Sequence, residues 1–193
     1  MLLRNIFHLS GIVLVLSACN NGKPTIITNQ DNPVDSGSAG PQTEIVEDRP
    51  SPLKKTTGQI EDVSISIRYG SPAVKGRQVW GNLVPYNEIW RTGANEATCI
   101  EFSKDVLVDG QELKAGKYGL FSIPGDKEWT LIFNSVWDQW GAYDYDSNMD
   151  VLRIKTSPRP HSPMAERLDF LLTPDGVLLV WENLEVGFSV KPL

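Results

Sequence analysis

Trp90-Arg91-Thr92-Gly93-Ala94-Asn95-Glu96 is the densest run of polar chemistry beside an aromatic ring in this chain. A guanidinium fork such as Arg91 holds a carboxylate or phosphate with two parallel hydrogen bonds, and Asn95 both donates to and accepts from hydroxyls. Glu96 accepts from hydroxyls, and the indole of Trp90 offers a face for stacking on a sugar. Those are the parts of a site for a small polar ligand or a glycan. Trp140 adds a second aromatic, and Arg77 and Arg68 are further arginines for the same surface. A structural alternative stands beside this one: Arg91 pairs with Glu96 as a brace, Asn95 fastens a turn and Trp90 belongs to the core.

Other chemistry is weaker. Asp144, Asp146, Asn148 and Asp150 place oxygen side chains at alternate positions, the spacing with which calcium loops gather hard ligands. The sixth position is Met149 where an EF-hand needs Gly, and the twelfth is Lys155 where it needs a bidentate Glu, so a solvated acidic turn is expected. After the N-terminal segment the chain has a single histidine, His161, in a proline-rich stretch with no thiol at ligand spacing, and no metal or cofactor is expected. A Ser-His-Asp or Cys-His set would have to use His161, and no Gly-x-Ser-x-Gly elbow is present. Two carboxylates about 5 to 10 Å apart can cleave a glycosidic bond. Glu96 with Asp138 or Asp144 is such a pair on paper, but a domain this acidic always offers one. No catalytic residue is assigned.

These residues sit in a chain of 193 residues with 18 basic and 24 acidic side chains, a net charge of -6 that argues against nucleic-acid binding by bulk charge. From about Gln59 the period-2 alternation of a half-buried strand appears, with Val63, Ile65, Ile67 and Tyr69 on one side. It returns at Thr98–Phe102, Val106–Val108, Tyr118–Ile123, Trp129–Phe133, Val151–Lys155, Leu168–Leu172, Val177–Trp181 and Leu184–Val190. Asp109-Gly110 and Pro174-Asp175-Gly176 are the turn signals between neighbours. About nine short strands without an amphipathic helix predict an all-β domain over 59–193, a single jelly-roll-like β-sandwich, with a barrel as the alternative. Gly70–Asn95 and Asn134–Asp150 do not read as strands, and they hold Trp80, Trp90, Trp137 and Trp140. Loops on a rigid β scaffold are where binding groups collect, although such loops can equally be packed shut by their own aromatics.

The N-terminus reads as an address. Arg4 precedes the short apolar run Ile6–Leu16, a signal-peptide core too short for a mature membrane span. Leu16-Ser17-Ala18-Cys19 resembles the lipobox of bacterial lipoproteins, which implies a signal peptide over 1–18 and a mature chain that begins at acylated Cys19. Each buried methylene of an acyl chain such as palmitate contributes about 0.8 kcal/mol, so two or three chains anchor a protein firmly to a membrane. With Cys19 lipidated, Cys99 cannot form an intramolecular disulfide, and its place in a strand suits a small buried hydrophobe. From residue 20 to 58 the chain is dominated by Asn, Gly, Pro, Ser, Thr, Asp and Gln, without an aromatic or a sustained apolar period, which predicts a disordered tether over 19–58 reaching roughly 35 Å.

Gly70-Ser71-Pro72-Ala73-Val74-Lys75-Gly76-Arg77, Leu83-Val84-Pro85-Tyr86 and Trp90 to Thr98 resemble the signature of a bacterial family known as domain of unknown function 2911. The likeness continues through Ala115 to Pro124, Glu128-Trp129-Thr130, Gln139-Trp140-Gly141 and Trp181-Glu182. It implies an exported, often lipidated protein of Bacteroidetes-type bacteria and carries no established activity. One departure is Gly119, where a side chain such as Ser is more usual, implying a local backbone adjustment. Together these features lead to the expectation of a non-enzymatic envelope lipoprotein, anchored through Cys19 to the periplasmic face of the outer membrane. Its loops would bind a glycan, a peptidoglycan fragment or a protein partner. A polysaccharide hydrolase with Glu96 as acid or base, and a purely structural envelope protein, are the alternatives.

Overall fold

Residues 40–193 are described by a computed structural model, so the expected signal peptide, acylated Cys19 and the tether as far as residue 39 lie outside the described residues. Eleven strands follow: β1 (Gln42–Glu47), β2 (Leu53–Ile60), β3 (Val63–Gly70), β4 (Thr98–Phe102), β5 (Val106–Val108) and β6 (Gln111–Leu113), then β7 (Gly116–Ile123), β8 (Trp129–Asn134), β9 (Asp150–Thr156), β10 (Arg159–Thr173) and β11 (Gly176–Pro192). They form a seven-stranded sheet in the order β1-β2-β3-β4-β7-β8-β9 and a four-stranded sheet in the order β10-β11-β5-β6. All the pairings are antiparallel, and the two sheets pack as a β-sandwich. The large sheet is a sequential meander interrupted where the β5–β6 hairpin crosses to the other sheet, without the interleaved Greek keys that a jelly roll would show.

The alternation in β3 works as expected: Val63, Ile65, Ile67 and Tyr69 are buried between the sheets while Ser64, Ser66 and Arg68 face outward. Asp109 and Gly110 turn β5 into β6 with positive φ at both positions, 46° and 80°, the geometry that the right-handed strand twist selects. The pair Pro174-Asp175 joins Thr173 to Gly176 in the β10–β11 hairpin. Leu184–Val190, expected as a separate strand, lies within β11. The chain doubles back near Glu182, whose φ is 56°, so that the Val190 amide reaches the Asp175 carbonyl at 3.0 Å.

The expected disorder up to residue 58 is corrected for the described part. β2 pairs with β3 over its whole length, from Leu53 opposite Gly70 to Ile60 opposite Val63. Its buried positions are Leu53, Thr56 and Ile60, and the middle one is a threonine whose hydroxyl is satisfied by Tyr69 and the Phe170 carbonyl. Polar side chains therefore fill a strand that shows no apolar period. β1 buries no side chain and is an edge strand held by main-chain pairing and a 2.7 Å Thr43–Thr56 hydroxyl contact.

The two irregular loops part company. Gly70–Asn95 sends Trp80 and Trp90 inward, where they meet Trp129 and Trp181 with ring centroids 5.0 to 6.2 Å apart, mostly edge to face. That loop is packed shut by its own aromatics. The loop after β8 instead lies on the outer face of the large sheet, over a small apolar cluster of Ala97, Phe121 and Ile132.

Candidate functional site

Trp90 is core, only 8% exposed, and its indole donates to the Gly93 carbonyl at 3.1 Å. Its amide and carbonyl both bond Ser122 at 2.8 Å, extending the register of β7, so the neighbouring Arg91 points to the other side of the sheet. Arg91 Nε is sealed from solvent without a hydrogen-bond partner among the described residues. Burial pulls its pKa below the ordinary guanidinium value, against a smaller upward pull from Tyr143. Thr92 and Asn95 take left-handed backbone, φ 54° and 65°, and fold the stretch into a tight turn. The Asn95 carbonyl accepts from the Gly141 amide at 2.9 Å.

Glu96 does not meet Arg91. Its partner is Arg49, whose Nη2 lies 2.5 Å from Glu96 Oε2, a residue of the segment expected to be tether. The brace is real and the arginine is a different one. Burial pulls the Glu96 carboxyl up, but the Arg49 hydrogen bond and the surrounding polar and positive groups outweigh it and hold the pKa below the ordinary range. A general acid needs the opposite shift. Arg77 spends its guanidinium on the carbonyls of Val74 (3.0 Å) and Ala73 (2.6 Å) and is a turn brace away from this surface.

Trp140 is on the surface, 56% exposed, with Tyr143 beside it in sequence at 85%. The main chain around Trp140 is pinned rather than loose: the Ala97 amide donates to the Gln139 carbonyl at 3.0 Å, and Gly141 is held by Asn95. In the Asp144 to Asp150 stretch, Asp146 accepts from the amide and side chain of Asn148 at 2.9 Å each. Asp150 accepts from Asn134 (2.8 Å), Tyr145 (2.7 Å) and Arg153 (2.7 Å). These acids are engaged by protein donors. The Tyr145 phenol is pushed up to about 12 by burial and by its bond to Asp150. His161 stands on β10 against Glu185 at 3.2 Å, while Cys99 stands on β4 of the other sheet. Burial pushes the Cys99 thiol up to about 11, so it is neither ionised nor beside a base.

Next to the Trp137–Trp140 segment, the outer face of the large sheet carries a groove of about 450 Å³ lined by Lys55, Arg68, Cys99, Glu101, Lys117 and Trp137, with Ser66 and Asp138. Cross-strand register builds it. One rung runs Lys55, Arg68, Cys99, Gly119 and the next Thr57, Ser66, Glu101, Lys117. Small residues at Ser66, Cys99 and Gly119 form the low floor between long side chains. The ammonium of Lys117 sits 4.9 Å from the Trp137 ring centre and 3.8 Å from Glu101. Gly119 has a steric reason rather than the expected backbone adjustment: a Cβ there would lie 2.9 Å from the Val136 carbonyl and 2.8 Å from Phe121, where the loop crosses the strand. Of the groove residues, sequence alone marks Arg68 as a binding candidate and Asp138 as a second carboxylate to pair with Glu96, and it passes over Lys55 and Lys117. The missing signal is the β2–β3 pairing, which places Lys55 beside Arg68 once β2 is recognised.

Of the residues expected to bind, Arg91, Asn95, Glu96 and Trp140 gather around one loop on this outer face, whereas Trp90 and Arg77 do not join them. No curated protein matches the chain, and no solved structure does. A family model described as "Protein of unknown function (DUF2911)" matches residues 51–190, from just before β2 to Val190 within β11. The chain belongs to the DUF2911 family.

Proposed function

We propose that this protein is a lipid-anchored component of the bacterial cell envelope whose β-sandwich binds a saccharide, such as a glycan or a peptidoglycan fragment, without cleaving it. The observation that carries the proposal is Trp140, an exposed indole on a main chain pinned to Asn95 and Ala97, in the same short segment as Trp137 and Asp138, which line the groove. A fixed aromatic face beside a polar cleft is what a sugar ring stacks on, and pre-ordering the loop lowers the entropy lost on binding. The hydrolase reading lacks its acid, because Glu96 is an ionised partner of Arg49.

Trp140→Ala is expected to weaken binding of a glycan or muropeptide at least tenfold, about 1.4 kcal/mol, in titrations of the full chain in mild detergent. Its melting temperature should stay within about 3 °C of the parent, since more than half of the side chain is already in water. Unchanged affinity would remove the proposed surface.

The anchor rests on the lipobox-like Leu16-Ser17-Ala18-Cys19, and the periplasmic face of the outer membrane is the location that suits it. Cys19→Ser should move the protein from the membrane fraction to the soluble one after cell lysis. Tight membrane fractionation of that variant would overturn lipidation at Cys19.

A further inference from the structure

The groove carries more information than its shape. In the β2–β3 pairing Lys55 lies directly opposite Arg68, on the same outer face. Like charges opposite each other on adjacent strands repel and weaken the sheet. Neither side chain makes a hydrogen bond or ion pair among the described residues, although the flanking cations do: Lys54 reaches Asp169 at 2.9 Å, and Lys117 approaches Glu101. Glu44 of β1 lies opposite Lys55 on its other side and offsets part of that repulsion without closing an ion pair, and Glu96 feels Arg68 at longer range. Two cations without a direct partner, beside a floor of small residues, are a place prepared for a negative charge.

We infer that this groove selects saccharides bearing one acidic group, a carboxylate or a phosphate, held between Lys55 and Arg68. The inference rests on the proposed saccharide-binding surface. The other lining groups restrict the class further. Glu101 and Asp138 also face the groove, so a second acidic group elsewhere on the ligand meets repulsion, whereas hydroxyls find acceptors there. Trp137 and the alkyl stems of Lys55 and Lys117 provide apolar contact for the ring. The fit is therefore a sugar acid or sugar phosphate with a neutral, hydroxylated remainder, and not a polyanion. Cys99 at the floor stays a neutral thiol and takes no covalent part.

The test compares N,N′-diacetylchitobiose with N-acetylglucosaminyl-N-acetylmuramic acid, which adds one lactyl carboxylate, and includes glucose 6-phosphate and inorganic phosphate as separate arms. Titrations of the full chain in mild detergent should show the acidic disaccharide binding at least tenfold more tightly than the neutral one. That preference should be lost in Lys55→Gln and in Arg68→Gln and kept in Arg68→Lys. It should also shrink as salt is raised from 50 to 300 mM. Each substitution relieves the repulsion between the two cations, and at Lys55 it also removes the attraction of Glu44, so both Gln variants should melt within about 3 °C of the parent temperature. A fall of 5 °C or more in both would make them structural and overturn the proposal. Equal affinity for the two disaccharides, unaffected by the substitutions, would overturn charge selection and leave the saccharide surface standing. Phosphate binding that is lost in Arg68→Gln, with no disaccharide bound, would overturn the saccharide surface and the sugar-acid assignment while leaving an anion site. Silence in every arm would overturn both.

Discussion

Trp90→Ala should lower the melting temperature by roughly 10 to 20 °C, corresponding to about 3 to 5 kcal/mol for deleting a large buried aromatic. Trp90 stacks with Trp181 at 6.2 Å and meets Trp80 and Trp129 edge to face, so its removal opens a cavity against three rings that cannot all move into it. The damage extends beyond the core. The indole bond to Gly93 and the paired main-chain bonds to Ser122 hold the Thr92–Asn95 turn, and that turn carries Arg91, Asn95 and Glu96 to the outer face. Thermal and urea melts followed by far-UV circular dichroism would measure the loss. The main-chain bonds to Ser122 survive an alanine and still hold the turn in the folded fraction, which should keep ligand affinity within a few-fold, the reverse of the Trp140→Ala pattern. A Trp90→Ala protein that melted normally yet failed to bind would place this ring at the ligand and not in the core.

The contrast between Trp90 and Trp140 shows where sequence reasoning reached and where it stopped. Both lie in irregular, turn-rich segments, and composition alone puts both on loops. What separates them is spacing: the first loop interleaves Val74, Val79 and Val84, all buried, at every fifth position, whereas the second surrounds Trp140 with Asp138, Gln139 and Asp144. Strands with a clean period of two, such as β3, and turns with their own backbone chemistry, such as Asp109-Gly110, were legible because each signal is local. The β2 strand was not, because Thr56 occupies the buried position where a hydrophobe would reveal it. The Arg49–Glu96 pair and the Lys55–Arg68 rung were hidden for the same reason, since both depend on residues assigned to the tether. Lost with β2 was the register that assembles the groove.

Asp169→Ala is expected to be the most damaging single change at a polar position, costing about 3 kcal/mol and roughly 10 °C in melting temperature. Asp169 on β10 accepts from the Tyr69 hydroxyl of β3 and from Lys54 Nζ of β2, the latter at 2.9 Å, so one carboxylate ties the two sheets together. Thr56 completes the network with contacts of 3.2 Å to the Tyr69 hydroxyl and to the Phe170 carbonyl. Without the carboxylate the fully buried phenol loses its acceptor, and an ammonium 14% exposed loses its counter-charge. The upper range for broken buried pairs is not reached because the Asp169 side chain is 29% exposed and water shares the load. Asp169→Asn keeps an acceptor for Tyr69 and should lose only about half as much. The network also sets an alkaline limit. Burial, then the bond to Asp169, raises the Tyr69 phenol above its ordinary value, and burial pushes the Cys99 thiol up to about 11. Groups whose pKa is raised in the folded state add stability that is whole below their unfolded values, near 8.5 for the thiol and 10 for the phenol, and that drains as pH rises toward the folded ones. Melting temperatures from pH 7 to 11 should therefore fall from about pH 8.5 and more steeply above 10. Tyr69→Phe should make the later part of that slope shallower, the remainder belonging to the raised phenols of Tyr145 and Tyr118, and Cys99→Ala should remove the earlier part. A flat profile in the parent would mean that these two groups ionise as freely in the fold as in the unfolded chain, and the closed contact between the sheets at Tyr69 would have to be given up.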